Sequence, residues 1–192
     1  MTDPGLFAIV LAASESRRFG STKQLATLAG RALVAYATGA AESVCGPRTI
    51  LVVGNEWRNV ATACGNLQGF LTVNTAYREG LSTSIRAGVA CLPDAADAVL
   101  LLLADQPLIT SEHLQTLVDQ WRESPDSIIA STYADTLGPP VIFPRRFFTS
   151  LQSLRGDRGA KSVFDANSDY VVAVECTAAA HDVDHPEDLE RL

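Results

Sequence analysis

The apolar run Ile9-Val10-Leu11-Ala12-Ala13 stops abruptly at Ser14, and the residues that follow to Gln24 are small, polar and basic. A buried parallel strand ends this way at a phosphate site of an α/β domain. Small residues let a ligand approach the backbone. Arg17, Arg18 and Lys23 bring three cations into a chain whose formal net charge is −7. A local cationic cluster in an acidic chain predicts an anionic ligand. The same acidic balance lacks the basic footprint of a nucleic-acid binder, so no nucleic-acid partner is expected.

The rest of the chain repeats the strand-then-helix rhythm. Short apolar runs predict strands over 6–13, 49–53, 70–73, 98–104, 127–130, 140–143 and 170–175. Between them, helical patterns cover 32–43, 57–64, 82–92, 111–122, 146–154, 160–166 and 186–192. This alternation predicts a mostly parallel sheet covered by helices on both faces. The first and fourth runs are apolar throughout and are expected at the centre. The 111–122 segment has Thr110 or Ser111 as its cap, Glu112 at the positive end of the dipole, and Leu114, Leu117, Val118 and Trp121 on one face. With 192 residues and 47% hydrophobic residues the chain can bury a full core.

The longest apolar run, 98–104, is far too short to span a bilayer, so no membrane partner is expected. The start, Met1-Thr2-Asp3-Pro4-Gly5, lacks the basic region of a secretory signal. Cys45, Cys64, Cys91 and Cys176 form no CxxC pair and have no histidine at ligand spacing. They read as reduced thiols of a cytoplasmic protein.

Ligands of open α/β sheets sit beyond the carboxyl ends of central strands. The first run leads into the Ser14–Lys23 loop. The fourth ends in Leu103-Ala104-Asp105-Gln106-Pro107, which puts a carboxylate at the rim of a buried strand, costly unless paired. A third acidic group comes late, in Asp182-Val183-Asp184-His185-Pro186. Loop cations with carboxylates from the other two segments would suit a phosphate ester and a divalent metal. Mg²⁺ is the natural choice, because it binds through one or two carboxylates plus substrate phosphates. Plainer readings stay open at this level: Arg17 and Arg18 as solvated residues, Asp105 as a turn cap, Asp184 as the cap of the Pro186 helix. His181 and His185 are not expected as ligands. There is no GxGxxG, Gly20-Ser21-Thr22-Lys23 is not a Walker A loop, and no GxSxG elbow occurs.

The segment Leu11-Ala12-Ala13-Ser14-Glu15-Ser16-Arg17-Arg18-Phe19-Gly20-Ser21-Thr22-Lys23 resembles the LAAGxSxRxGxxK signature of the MobA-like nucleotidyltransferases. Further matches follow in order along nearly the whole chain. They are Glu79-Gly80-Leu81-Ser82-Thr83-Ser84-Ile85-Arg86-Ala87-Gly88, Asp105-Gln106-Pro107-Leu108, Gly138-Pro139-Pro140-Val141-Ile142-Phe143, Gly156-Asp157-Arg158-Gly159-Ala160-Lys161 and Asp182 to Leu189. The branch most similar is the molybdenum cofactor cytidylyltransferases. Guanylyl-transferring relatives usually carry Ala-Gly-Gly where this chain has Ala12-Ala13-Ser14. Two positions depart from the pattern: Ser14 replaces a Gly that can take positive φ, and His185 replaces a Thr. Ser14 is tolerated if its φ stays negative, and weakens nucleotide binding otherwise.

The resemblance implies a three-layer α/β fold of the nucleotide-diphospho-sugar transferase type, forming a single domain over 1–192. It implies transfer of a nucleoside monophosphate from an NTP, with CTP favoured over GTP, to the phosphate monoester of a molybdopterin-type acceptor, releasing pyrophosphate. By the same resemblance Asp105 and Asp184 hold Mg²⁺, and Arg18, Lys23 and Asp105 are catalytic. Leu11, Ala12, Ala13 and Ser14 contact the nucleotide, Ala12 and Ala13 through backbone groups, Ser82 and Arg86 belong to the base and ribose side, and Arg158 and Lys161 face the acceptor phosphate. A molybdoenzyme or its chaperone would be the protein partner. Two alternatives stand beside this reading: a guanylyltransferase or a transferase for another phosphorylated acceptor, and a non-catalytic module that holds the cofactor for a partner.

Overall fold

The structure, a computed structural model, describes residues 5–14 and 19–192. The chain runs β1 (Leu6–Ala12), a short ribbon β2 (Thr27–Leu28) and β3 (Arg31–Ala32), α1 (Leu33–Cys45), β4 (Thr49–Val53), α2 (Trp57–Ala63) and β5 (Phe70–Val73). It continues with α3 (Leu81–Ala90), β6 (Ala98–Leu103), α4 (Ser111–Glu123), β7 (Ile128–Tyr133), β8 (Thr136–Pro144), α5 (Phe148–Gln152), α6 (Lys161–Asp165) and β9 (Val171–Glu175). Seven strands form one sheet in the order β5-β4-β1-β6-β8-β7-β9. Only β8 runs against its neighbours. The expected mostly parallel, doubly covered sheet is the fold.

β1 divides the core by its alternation. Leu6, Ala8, Val10 and Ala12 pack into the layer shared with Val34 and Ala41 of α1 and Leu114 and Leu117 of α4. Phe7, Ile9, Leu11 and Ala13 pack into the layer shared with Ile85 and Val89 of α3, Leu151 of α5 and Val163 of α6. With both faces covered, every residue of β1 is buried, which is why its sequence is apolar without a break. α3 lies close to the sheet because of Gly88: a Cβ there would stand 2.7 Å from Ile9 Cγ2.

α4 follows the sequence reading. The Thr110 hydroxyl accepts the His113 N–H at 3.3 Å, and Leu114, Leu117, Val118 and Trp121 are buried. Each such side chain contributes about 1.5–3 kcal/mol relative to exposure, so this stripe holds the helix more than intrinsic propensity does.

Three segments differ from expectation. The predicted strands over 127–130 and 140–143 are longer and form a hairpin, turned by Ala134 and Asp135 with φ of 45° and 58°. Those values belong to a primed turn, here built without the Asn-Gly pair that announces one. The predicted helix over 146–154 is a 3₁₀ turn, Arg145–Phe147, followed by the single short α5. The predicted final helix is a 3₁₀ segment, Pro186–Arg191, capped by His185 and Asp188 rather than by Asp184. Among the described residues no helix is long and apolar enough to cross a membrane.

Candidate active site

The site follows from the register of the two central strands. Leu11 pairs with Leu103, so Ala13 and Asp105 leave the sheet at the same level. A cleft of about 500 Å³ opens there. Leu11, Ala13, Ser14, Lys23, Gln24, Asp105 and Asp184 line it, facing Tyr77, Arg78, Gly80, Leu81, Ser84 and Asp157. The third acidic group arrives because the tail is pinned to the strand end. The Val183 N–H donates to the Asp105 carbonyl at 2.9 Å, and Val183 is fully buried. Gln106 Nε2 holds the Ala179 carbonyl at 3.0 Å.

Lys23 opens the 3₁₀ turn Lys23–Leu25 and is buried at 6% exposure, unusual for a lysine. Its Nζ donates to Asp105 Oδ2 at 2.7 Å and to Asp184 Oδ1 at 3.1 Å. Burial pulls the ammonium pKa down, but the charges of and bonds to Asp105 and Asp184 together outweigh it and raise the pKa above 10.5. Lys23 is therefore charged at neutral pH. Asp182 stands beside the pair, and its carboxyl is pushed up by partial burial and then by the Asp105 charge.

Asp105 Oδ1 is buried and has no hydrogen-bond partner among the described residues. A buried carboxylate oxygen left over after an ion pair is an acceptor awaiting a donor or a cation. No group of three or more His, Cys, Asp or Glu able to hold a metal occurs among the described residues. Two carboxylates, one with a spare oxygen, suit a hard divalent cation that completes its shell with phosphate oxygens and water. The residues present therefore fit Mg²⁺ or a similar ion held jointly with a triphosphate.

Ser14, the departure from the signature, keeps a negative φ. Gln24 Nε2 donates to the Ser14 hydroxyl at 2.9 Å and to its carbonyl at 3.3 Å, from a side chain that is only 4% exposed. The loop thus seats Ser14 without left-handed backbone.

The other anticipated residues fall in several places. Arg17 and Arg18 lie outside the described residues. Leu11, Ala13 and Ser14 line the cleft, whereas the Ala12 side chain turns into the opposite core layer. Ser82, in the first turn of α3, is fully buried; its N–H donates to the Gly156 carbonyl at 3.2 Å and its hydroxyl has no partner among the described residues. Arg86 lies one turn further along α3 with Nε buried and without a hydrogen-bond partner among the described residues. Arg158 is exposed on the loop after Gly156. Lys161 is exposed and pairs with Asp165 at 2.8 Å rather than reaching the cleft. Sequence reasoning passed over Gln24, whose role depends on a neighbour ten residues back. It also passed over Asn74, which donates to Thr83 Oγ1 at 2.8 Å and Ser84 Oγ at 3.0 Å and so fixes the first turn of α3. A lone buried Asn after a strand was the only available signal.

A doubly wound sheet with a cationic and acidic cleft at the carboxyl ends of its central strands defines a class of phosphate-handling α/β proteins. Residues 8–171 match the model of the MobA-like NTP transferase domain, and the chain belongs to that family of nucleotidyltransferases. Purine catabolism protein PucB of Bacillus subtilis is 26% identical over 100% of this chain and 98% of its own length. Bifunctional protein GlmU of Rhodococcus opacus is 32% identical over 71% of this chain, which spans 29% of that protein. Among solved structures, Rv0371c of Mycobacterium tuberculosis superposes with a TM-score of 0.85 at 28% identity, covering 100% of this chain and 98% of the other. A second structure of Rv0371c, in complex with manganese, gives 0.78 at 26% identity over 99% of this chain and 98% of the other.

Proposed function

We propose that this cleft moves a nucleoside monophosphate from an NTP, with CTP favoured, to the phosphate monoester of a molybdopterin-type acceptor, and releases pyrophosphate. The observation that carries the reading is the Lys23–Asp105–Asp184 cluster at the ends of β1 and β6, with Asp105 Oδ1 left without a partner among the described residues. A phosphate monoester has its second pKa near 6 and is mostly dianionic at pH 7. One of its oxygens attacks the α-phosphorus, the bond from that phosphorus to the β-phosphate oxygen breaks, and its electrons leave with pyrophosphate. No general base is needed. The protein's work is positioning and neutralisation of charge, which suits the Lys23, Asp105 and Asp184 cluster.

Asp105 and Asp184 would hold Mg²⁺, which when bound supplies charge neutralisation on the triphosphate. Lys23 stabilises charge on the α-phosphoryl group and the leaving pyrophosphate, and Arg18 shares this role. Leu11, Ala13 and Ser14 border the nucleotide, Ser82 and Arg86 lie toward base and ribose, and Arg158 toward the acceptor. Residues 1–192 act as one domain in this reading, in the cytoplasm, where cysteines outside disulfides persist.

A second reading is transfer to another phosphorylated acceptor, a sugar phosphate among them; the likeness to PucB over the whole chain and to GlmU over 71% of it does not single out a pterin. A pyrophosphate-release assay separates the two. Each NTP is offered, with Mg²⁺ or Mn²⁺, against molybdenum-bound molybdopterin and simple sugar phosphates. Turnover only with CTP and the pterin is expected; turnover only with a sugar phosphate replaces the acceptor. Absence of turnover with every pair, together with tight pterin binding, would leave the non-catalytic holding role.

A further inference from the structure

We propose that Glu56 is a positioning residue: its carboxylate holds Thr22, and through Thr22 the turn that presents Lys23 between Asp105 and Asp184. The inference rests on the assignment of Lys23 to the transfer site.

Glu56 is the wrong residue for its local position. It has φ 47° and ψ 34°, the left-handed region where glycine and asparagine are at ease. It also stands at the N-cap of α2, where Ser, Thr, Asp or Asn would bond the first-turn N–H groups. The Glu56 side chain makes no such bond. Instead Oε1 accepts from the Thr22 hydroxyl at 2.7 Å, and Oε2 accepts from Asn59 Nδ2 at 3.0 Å. Thr22 behaves in the same way. It is the N-cap of the 3₁₀ turn that begins at Lys23, is 8% exposed, and does not cap that turn with its hydroxyl. Two residues at helix starts, 34 positions apart, each leave their own element uncapped and bond each other. A shorter Asp or Asn would fit the backbone better but lacks the extra methylene. Where local preference is overridden at two linked positions, a tertiary requirement has selected them.

That requirement lies one residue away. Lys23 directly follows Thr22, and on its other flank Gln24 is tied to Ser14. The turn carrying Lys23 is thus clamped on both sides, and the Glu56 side of the clamp comes from the β4–α2 connection. This connection itself abuts the exit of β1: a Cβ at Gly54 would stand 2.9 Å from the Ala13 carbonyl oxygen. Both oxygens of the Glu56 carboxylate accept bonds, which holds its pKa below 4.5 and keeps the acceptor charged. A charge-assisted bond of this kind fixes the approach of Thr22 more tightly than a neutral one.

The chain has only two lysines, Lys23 and Lys161, so each reports on the other. Brief acetylation with acetic anhydride, read by mass spectrometry, gives the labelling ratio of Lys23 to Lys161. It is measured on the intact protein and on Glu56→Gly, Glu56→Gln and Thr22→Val, together with melting curves and steady-state transfer kinetics. Glu56→Gly suits the left-handed backbone and is expected to melt within about 3 °C of the parent. Its labelling ratio is expected to rise at least threefold, and its kcat to fall about fivefold with the NTP KM changed less than about twofold. Thr22→Val, which breaks the same bond from the other side, is expected to raise the ratio equally. Glu56→Gln keeps an acceptor oxygen and is expected to return the ratio and kcat to within about twofold of the parent. An unchanged ratio in both Glu56→Gly and Thr22→Val overturns the proposal, as does a Glu56→Gln protein no better than Glu56→Gly. If the parent transfers no nucleotide, the function assigned to the cleft fails, while the labelling ratio still judges Glu56.

Discussion

Lys23 and Lys161 both lie within residues 8–171, the stretch that matches the family, yet the fold treats them in opposite ways. Lys23 has a side chain 8% exposed and bonds two carboxylates that are 82 and 161 positions away in sequence. Lys161 has a side chain 59% exposed and bonds Asp165, four positions on along the same helix. A solvated i,i+4 pair contributes about 0.3–0.5 kcal/mol. A buried ammonium without its carboxylates would cost several kcal/mol. The same side chain is thus structurally committed in one place and nearly free to be replaced in the other. The difference lies in what the β1 and β6 ends bring together, and not in the lysines.

The sharpest way to break this contrast is Asp105→Ala. It removes the anchor of Lys23 and the spare oxygen together. Transfer should fall at least about a hundredfold, because the bond from Lys23, of a kind worth about 1.5–3 kcal/mol, is lost together with the oxygen that would take the metal. Melting should fall by only a few degrees, since Asp184 remains to pair with Lys23. Normal turnover in this variant would separate the cluster from the chemistry.

Lys23→Met comes next. A tenfold to hundredfold loss of kcat is expected, with stability lower by about 1–2 kcal/mol at pH 7 after allowing for the exposure of the two carboxylates. Its pH dependence is a second readout. The folded-state pKa of Lys23 is raised above 10.5, so the stability this group adds is fully present below the unfolded value and is lost as pH rises through the folded one. The parent should lose melting temperature as the pH rises past the ordinary lysine value, by a component that Lys23→Met lacks.

The exposed side of the comparison is tested by Arg158→Ala and Lys161→Ala. Arg158→Ala should raise the acceptor KM about threefold, with kcat and the NTP KM changed by less than about twofold. Lys161→Ala should change neither KM by more than about twofold, with melting within about 1 °C. A larger effect at Lys161 would mean that its ion pair with Asp165 opens to meet substrate.

Ser14→Gly should have the smallest effect. Gln24 already holds Ser14 with negative φ, so CTP and GTP affinities measured calorimetrically should stay within about twofold of the parent. A tenfold tighter Kd in Ser14→Gly would show that the hydroxyl obstructs the loop.

Much of this was legible in the residues. Unbroken apolar runs marked β1 and β6 as central, because a strand covered on both faces has no solvent side to alternate with. The caps and stripe of α4 were readable because they are local. The Ala134–Asp135 turn was not, since neither residue announces positive φ. The final segment reads as a helix by composition but is 3₁₀, with its cap formed by His185 and Asp188, which leaves the Asp184 side chain for Lys23.

The fold class, the loop at which an anion would be met, and the three charged segments all follow from the order of residues. Each of these is written in nearest-neighbour terms: apolar periodicity, residue size and sign of charge. Which charges meet follows from the folded arrangement alone. The β1–β6 register sets Ala13 level with Asp105, the Val183 N–H draws Asp184 to the same place, and Lys23 is left as the buried member of the three. Burial and pairing are properties of position in space. Electrostatic energy depends on them far more than on composition, because a charge gains or loses most where water is excluded.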